Sequence, residues 1–298
     1  MGHTEVEYKR DAMTIERKPE WLRIKFRRYN EALQTENIVR KYNLHTVCDS
    51  AACPNKGECF SNSTATFMLL GDICTRRCRF CNVSENVDKI DAPNPEEPKL
   101  IAKAVKEMGL DYVVLTMVTR DDLPDGGAEH IYRTISEIRR ENGDGIGIEI
   151  LVSDLDGNRK ALDRVLEASP KVFNHNVETI PRLYSELRPQ AVYTRSLEVL
   201  ENAFKAGIEY TKSGFMVGLG ETEPEISVLM DDLRRVGVSI LTIGQYLAPS
   251  KLHYPVKEYV HPDIFQRYKE MALEKGFKTC FSGPFVRSSY KAKEALTN

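Results

Sequence analysis

The sequence predicts an α/β protein built as an incomplete (β/α) barrel with N-terminal and C-terminal extensions. Three observations point there. From Thr64 onward, apolar runs alternate with segments whose apolar residues recur at helical spacing. About six such units follow one another, which implies parallel strands joined by right-handed crossovers. Polar residues gather where the strand-like runs end, the face on which barrels of this kind keep their chemistry.

The first strand is expected over 65–70, a continuous apolar run. A helix is expected over 98–108, where Leu100, Ala104 and Met108 share a face and Gly109 provides a stop. Residues 112–117 read as a buried strand, and Ile131, Ile135 and Ile138 mark the next helix. A strand over 146–152, a helix over 161–168 and a short strand over 171–175 follow. Leu197, Leu200 and Phe204 mark a helix, and 208–217 contains a strand. The helix over 223–236 has Pro224 in its first turn, where the missing N–H costs nothing. Its apolar face is Ile226, Leu229, Met230 and Leu233. A sixth strand over 238–247 and a helix over 262–275 complete the series. The chain thereby divides into an extension over 1–63, a barrel over 64–276 and a tail over 277–298.

The 298 residues are 41% hydrophobic and 29% charged, the balance of an ordinary globular protein. A net charge of −2 excludes a nucleic-acid binder that works through a broad basic face. The basic N-terminal stretch (Arg17, Lys18, Arg23, Lys25, Arg27, Arg28) reads as a solvated face or as a docking surface for an acidic protein. No segment has the unbroken apolar length of a membrane span, and the N-terminus resembles neither a secretory signal nor a mitochondrial presequence. No membrane or nucleic-acid partner is expected, and the cysteine pattern suits a reducing cytoplasm.

Six of the seven cysteines form two triplets. Cys74, Cys78 and Cys81 are spaced C-x3-C-x2-C, directly after the first expected strand. Three thiolates can hold three irons of a 4Fe-4S cube and leave the fourth iron open for a small molecule. Cys48, Cys53 and Cys59 are spaced C-x4-C-x5-C. The bland alternative is a zinc knot or scattered core cysteines. Zinc knots, however, usually pair C-x2-C with a second such pair or with histidines, and none follows here. Taken alone, the upstream triplet suits zinc as well as it suits a cluster. Cys280 reads as a packing residue.

The C-x3-C-x2-C run, with Phe80 just before its last cysteine, resembles the cluster motif of the radical S-adenosylmethionine (SAM) enzymes. Together with the upstream triplet and Arg287-Ser-Ser-Tyr290, the chain resembles the lipoyl synthases. Matching segments run from Pro19-Glu-Trp-Leu22 through Thr119-Arg-Asp-Asp-Leu-Pro-Asp-Gly-Gly-Ala128 and Asn174-His-Asn-Val-Glu-Thr179 to Gly244-Gln-Tyr-Leu247. They cover most of the chain, with no departure at a ligand position. The resemblance implies a partial (β/α)6 TIM-like barrel of the radical SAM type.

It also implies cofactors and roles. Cys74, Cys78 and Cys81 would hold the 4Fe-4S cluster that reduces SAM, and the resulting 5′-deoxyadenosyl radical would take hydrogen from an octanoyl chain. Cys48, Cys53, Cys59 and one serine, Ser289 in preference to Ser288, would hold a second 4Fe-4S cluster that donates sulfur at C6 and C8. A serine oxygen is a harder donor than a thiolate and suits a ligand that must be shed; the alternative is that both hydroxyls cap local backbone. Phe80, Thr116, Asn176, Glu178, Arg195, Met216 and Gly218 are the implied SAM contacts. The bland readings are a surface ion pair for Glu178 and Arg195 and a structural turn for Gly218. Thr119, Asp121, Asn174, Lys212 and Gln245 are expected to line the cleft, and His175 to be structural. Asp121, Asp122 and Asp125 form an acidic loop that either caps the helix at Gly126-Gly-Ala128 or lines the cleft.

The implied partners are octanoylated lipoyl carrier domains, of the 2-oxoacid dehydrogenase E2 or glycine cleavage H type. A one-electron donor such as ferredoxin or flavodoxin and a cluster-rebuilding protein join them. Competing readings are another radical SAM sulfur-inserting enzyme, an electron carrier and a zinc-stapled scaffold. Carriers usually close each cluster with four cysteines, which this chain does not offer.

Overall fold

Seven parallel strands, one more than expected, form a single sheet in strict chain order. The structure is a computed structural model, and it describes residues 18–23, 32–51, 53–61 and 65–296. Arg17, Lys25, Arg27 and Arg28 of the basic stretch lie outside the described residues.

The strands are β1 (Thr66–Leu69), β2 (Tyr112–Met117), β3 (Gly147–Leu151), β4 (Val172–Asn174), β5 (Tyr210–Val217), β6 (Ile240–Gln245) and β7 (Thr279–Gly283). Each pairs in parallel with the next, and β7 does not pair with β1, so the barrel stays open. The seventh strand falls in the stretch expected to be a tail. Its residues are mostly half-buried and only Thr279 and Cys280 are fully covered, so no continuous apolar run announces it.

Among the described residues, three α-helices precede the barrel: α1 (Ala32–Lys41), α2 (Val47–Ser50) and α3 (Lys56–Ser61). The crossovers carry α4 (Glu97–Glu107), α5 (Ala128–Asn142), α6 (Arg159–Glu167), α7 (Tyr184–Leu187), α8 (Tyr193–Lys205), α9 (Glu223–Arg235) and α10 (Pro262–Glu274). The expected face of α9, Ile226, Leu229, Met230 and Leu233, is the buried one. Thr222 and Glu225 close a reciprocal capping box at its start. At the start of α5, both carboxylate oxygens of Asp125 accept backbone N–H groups, from Gly127 and Glu129, so this residue caps the helix.

Side chains alternate across the sheet with period two. Val113, Leu115, Ile148, Ile150 and Phe173 enter one apolar core beneath the helices, and Phe215, Val217, Leu241 and Ile243 enter a second. The intervening positions place Thr116, Glu149, Asn174, Lys212 and Thr242 on the opposite, inner face of the barrel. There Lys212 Nζ lies 2.8 Å from Glu149 Oε1, with both side chains almost fully buried. Asn174 and Tyr112 also donate to that carboxylate, at 3.0 and 3.1 Å. Lys212, expected to line the cleft, is thus buried in the barrel interior against Glu149. Gln245 departs from expectation as well. Its amide donates to Val217 O, Tyr246 O and Glu258 O and accepts from Val260 N, so it staples the loop after β6.

His175 is structural, as expected. It is fully buried between Val152 O at 2.9 Å and Ser196 Oγ at 2.9 Å. Burial, with the nearby Arg188 charge, pushes its pKa down to about 4 from 6.5. An unfolded chain takes up this proton below pH 6.5, whereas the folded chain resists until about pH 4. Stability contributed by the neutral ring is therefore full above pH 6.5 and lost as pH falls through this window. We expect the cluster-free chain to be about 2 kcal/mol less stable at pH 5 than at pH 7 through this group. Parallel urea titrations of His175→Gln, which should lose that part of the pH dependence, check it.

Candidate active site

The loop bearing Cys74, Cys78 and Cys81 leaves the C-terminal end of β1, the catalytic end of such barrels. Its backbone is held from several sides. Cys74 N donates to Ser84 O at 2.8 Å and Thr75 N to Thr119 O at 3.0 Å. Arg79 N donates to Leu187 O at 2.9 Å, and Arg77 N to Gln190 Oε1 at 2.7 Å. From the loop after β6, His253 Nε2 lies 3.0 Å from Cys81 O, and Tyr254 N donates to Arg79 O. Inside the loop, the buried Arg76 guanidinium bridges Asp121, at 2.8 and 3.1 Å, and Asp154, at 2.5 Å. Thr119 and Asp121 thus brace the cluster loop from the exit of β2.

The thiols of this triplet lie close enough to act on one another electrostatically. Burial pushes Cys81 up to about 12, and it raises Cys78 against the lowering effect of the neighbouring Arg188. Three desolvated thiolates are costly together unless a cation compensates them, and this is the environment that bound iron completes. Among the described residues, no three metal-ligating side chains converge tightly enough to clasp a single ion.

The second triplet is built on the helices before the barrel. Cys48 lies in α2, Cys59 in α3 and Cys53 between them. Thr46 caps α2 through its side chain and bridges Phe67 of β1, which sets Cys48 against the barrel edge. Burial pushes Cys48 up to about 11 and Cys59 up to about 12; Cys53 raises both further, and Cys48 also raises Cys59. Asn82 Nδ2 donates to Ser50 O at 2.8 Å and joins the loops of the two triplets.

The C-terminal tail closes over this second triplet. Asn55 Nδ2 donates to Phe285 O at 2.7 Å, and Tyr290 OH to Glu58 Oε1 at 3.2 Å. The half-buried Arg287 guanidinium lies within electrostatic reach of Cys53. The approach requires glycine at position 244 of β6, where a Cβ would stand 2.2 Å from Val286 O. Ser288 is fully engaged: its Oγ accepts from Asn174 Nδ2 at 2.9 Å and donates to Asn176 Oδ1 at 3.1 Å. The Ser289 hydroxyl makes no hydrogen bond to any described residue.

The expected SAM contacts separate into two groups. Thr116 lies at the end of β2, Asn176 and Glu178 just beyond β4, and Met216 and Gly218 at the end of β5. Glu178 adopts a left-handed φ of 65° and bridges Phe215 of β5 through its backbone. Burial raises its carboxyl pKa, while Arg188 and Asn176 pull it back. Phe80 is half-buried against the core of β5–β7. Arg195, on α8, belongs to a different cluster: Nη1 lies 2.6 Å from Asp156 and 3.5 Å from Asp154. It therefore pairs with acids at the exit of β3, not with Glu178. In the glycine turn after β5, the N–H groups of Gly218 and Leu219 both donate to the Glu221 carboxylate.

The fold and these sites have close relatives. A radical SAM superfamily model matches residues 68–233. A lipoyl synthase from Alkaliphilus metalliredigens (strain QYMF) is 51% identical over 95% of this chain and 97% of its own. The chain belongs to the lipoyl synthase family. A second lipoyl synthase, from Caldicellulosiruptor saccharolyticus (strain ATCC 43494 / DSM 8903 / Tp8T 6331), is 51% identical over 93% of this chain and 97% of its own. The crystal structure of a methylornithine synthase shares the fold alone, with a TM-score of 0.55 at 16% identity over 87% of this chain and 83% of that one. Membership in the lipoyl synthase family brings SAM and 4Fe-4S clusters as cofactors, and the thiol chemistry above fits the clusters.

Arg188 escaped the sequence reading. It follows α7 directly, is buried, and stands beside both Cys78 and Glu178. A lone arginine in an exposed-looking Leu-Arg-Pro-Gln run carries no motif, and only the fold brings it to the cluster loop.

Gly218 offers a direct test of this lipoyl synthase cleft. Its φ is 92°, and a Cβ would stand 2.3 Å from Gln245 Nε2 and 2.4 Å from Glu258 O. Gly218→Ala is expected to cost about 1–3 kcal/mol and to weaken SAM binding. Gly207→Ala is the control, because φ there is 80° but the space around it is open. Thermal melts and SAM titrations of both variants check the prediction. Equal behaviour would mean that strain alone, without the clash, governs the site.

Proposed function

We propose that this lipoyl synthase-family protein inserts two sulfur atoms, at C6 and C8, into an octanoyl group carried on a lysine of a lipoyl carrier domain. The observation that carries the reading is the docking of the tail on Cys53, Asn55 and Glu58, beside a Ser289 hydroxyl that no described residue engages. In this reading Cys74, Cys78 and Cys81 hold one cluster, and Cys48, Cys53, Cys59 and Ser289 hold the other. When bound, the clusters and SAM supply the one-electron chemistry and the sulfur.

The chain's own residues position and shield. Thr116, Asn176, Glu178, Met216 and Gly218 form the cleft wall for SAM, and Phe80 covers the cluster loop. Arg195 acts at one remove, because it and Arg76 share Asp154. Ser288, clasped between Asn174 and Asn176, ties the tail to the exit of β4 and so aims its neighbour Ser289. The segment before β1 and the tail beyond β7 act together on the second site, and the barrel from β1 to β7 serves the first. Octanoylated carriers of the 2-oxoacid dehydrogenase or glycine cleavage type, a ferredoxin- or flavodoxin-like donor and a cluster-rebuilding protein are the partners this chemistry needs. No helix among the described residues is long and apolar enough to cross a membrane.

Anaerobic reconstitution followed by incubation with SAM, reductant and an octanoylated carrier peptide tests the function. About eight irons per chain and a peptide mass gain of two sulfurs are expected. SAM cleavage without sulfur insertion would refute the substrate, and about four irons would refute the second site.

A further inference from the structure

We propose that Arg188 is a positioning residue whose buried charge sets the reduction potential of the cluster held by Cys74, Cys78 and Cys81. The inference rests on the assignment of those cysteines as ligands. The segment from α7 to Gln190 clamps the cluster loop: Leu187 O accepts from Arg79 N, and Gln190 Oε1 accepts from Arg77 N. In the returning direction, Gln190 Nε2 donates to Thr75 O at 3.4 Å. Arg188 sits in the seam between this clamp and the exit of β4. Its Nη1 donates to Asn176 O at 3.2 Å, Val177 O at 3.2 Å and Tyr184 OH at 2.8 Å.

Those three acceptors are neutral, so none of them cancels the guanidinium charge. Its Nε is buried and has no hydrogen-bond partner among the described residues. The anionic groups within its electrostatic reach are Glu178, Asp154 and the Cys78 sulfur. Asp154 is already paired with Arg76 and Arg195. That leaves Arg188 directed at Glu178 and at the cluster ligand. A reduced cluster carries one more negative charge than an oxidised one. A fixed cation beside a ligand sulfur, in a low-dielectric seam, favours the reduced form. Arginine suits the role because it cannot deprotonate there.

The test is an EPR-monitored redox titration of the fully loaded protein, following the cluster whose signal changes on adding SAM. Wild type is compared with Arg188→Gln and Arg188→Lys. Arg188→Gln should be about tenfold harder to reduce, a shift of about 59 mV to lower potential for one electron. Arg188→Lys should stay closer to wild type. Retention of the cluster by Arg188→Lys with its loss from Arg188→Gln also supports a charge requirement. Equal potentials in all three proteins, or loss of the cluster from both variants alike, would overturn the proposal and leave Arg188 as a loop anchor only. A wild-type protein with no SAM-responsive signal would instead overturn the ligand assignment.

Discussion

Cys53→Ala is expected to abolish sulfur insertion while SAM cleavage continues. The two triplets occupy separate loops with separate supports, so damage to one need not reach the other. The first is held by residues from the exits of β1 and β2, from α7 and from the loop after β6. The second is held by α2, α3 and the tail. Losing a supporting partner commonly costs a metal site about 10–100-fold, and losing a ligand should cost more. Lipoyl product should therefore fall by over a hundredfold or so, while 5′-deoxyadenosine still forms in near wild-type amount. Cys78→Ala should silence both readouts. Ser289→Ala should resemble Cys53→Ala, and Ser288→Ala should weaken product formation less, because that hydroxyl only ties the tail to Asn174 and Asn176. Quantifying both products by mass spectrometry decides the matter. Parallel loss of both in Cys53→Ala would mean that the two sites are not independent.

The second large effect is expected inside the barrel. Glu149→Leu leaves the Lys212 ammonium buried without its counter-charge, and it strips a partner from Asn174 and Tyr112. Breaking one side of a buried pair costs about 3–5 kcal/mol. For a chain of this size that corresponds to a drop of roughly 10 °C in Tm. Replacing both partners, in Glu149→Leu with Lys212→Met, should recover most of the loss, since the desolvation cost of both charges disappears together. A double-mutant cycle by thermal melts measures this, and additive effects would show that the pair is not coupled.

These residues also mark how far the sequence was legible. Contiguous patterns transfer well. Continuous apolar runs located β1 to β6, helical spacing gave the buried face of α9, and both cysteine triplets stand out by spacing alone. Patterns that depend on distant partners do not. Glu149 and Lys212 are 63 positions apart, and a lone charge within a strand reads as exposed until its partner is in place. Lys212 and Gln245 were therefore expected to line the cleft and are found engaged inside the fold. β7 was hidden because half-buried Phe281, Ser282 and Gly283 lack an apolar signature. Arg195 shows the limit of resemblance: its partners, Asp154 and Asp156, come from the β3 exit.

The tail's contacts with the second triplet span 230 and 232 positions of chain. The contacts on the first triplet's loop, by contrast, are complete by Tyr254, which donates to Arg79 O next to His253 at Cys81 O. During synthesis, then, the two sites become complete in a set order. At ordinary elongation speeds the stretch between residues 254 and 290 takes roughly 2–7 s to emerge. For that interval the ribosome presents a chain with one finished pocket and three upstream thiols still uncovered. The chain's geometry thus schedules the two sites, with the one around Cys48, Cys53 and Cys59 last to be sealed.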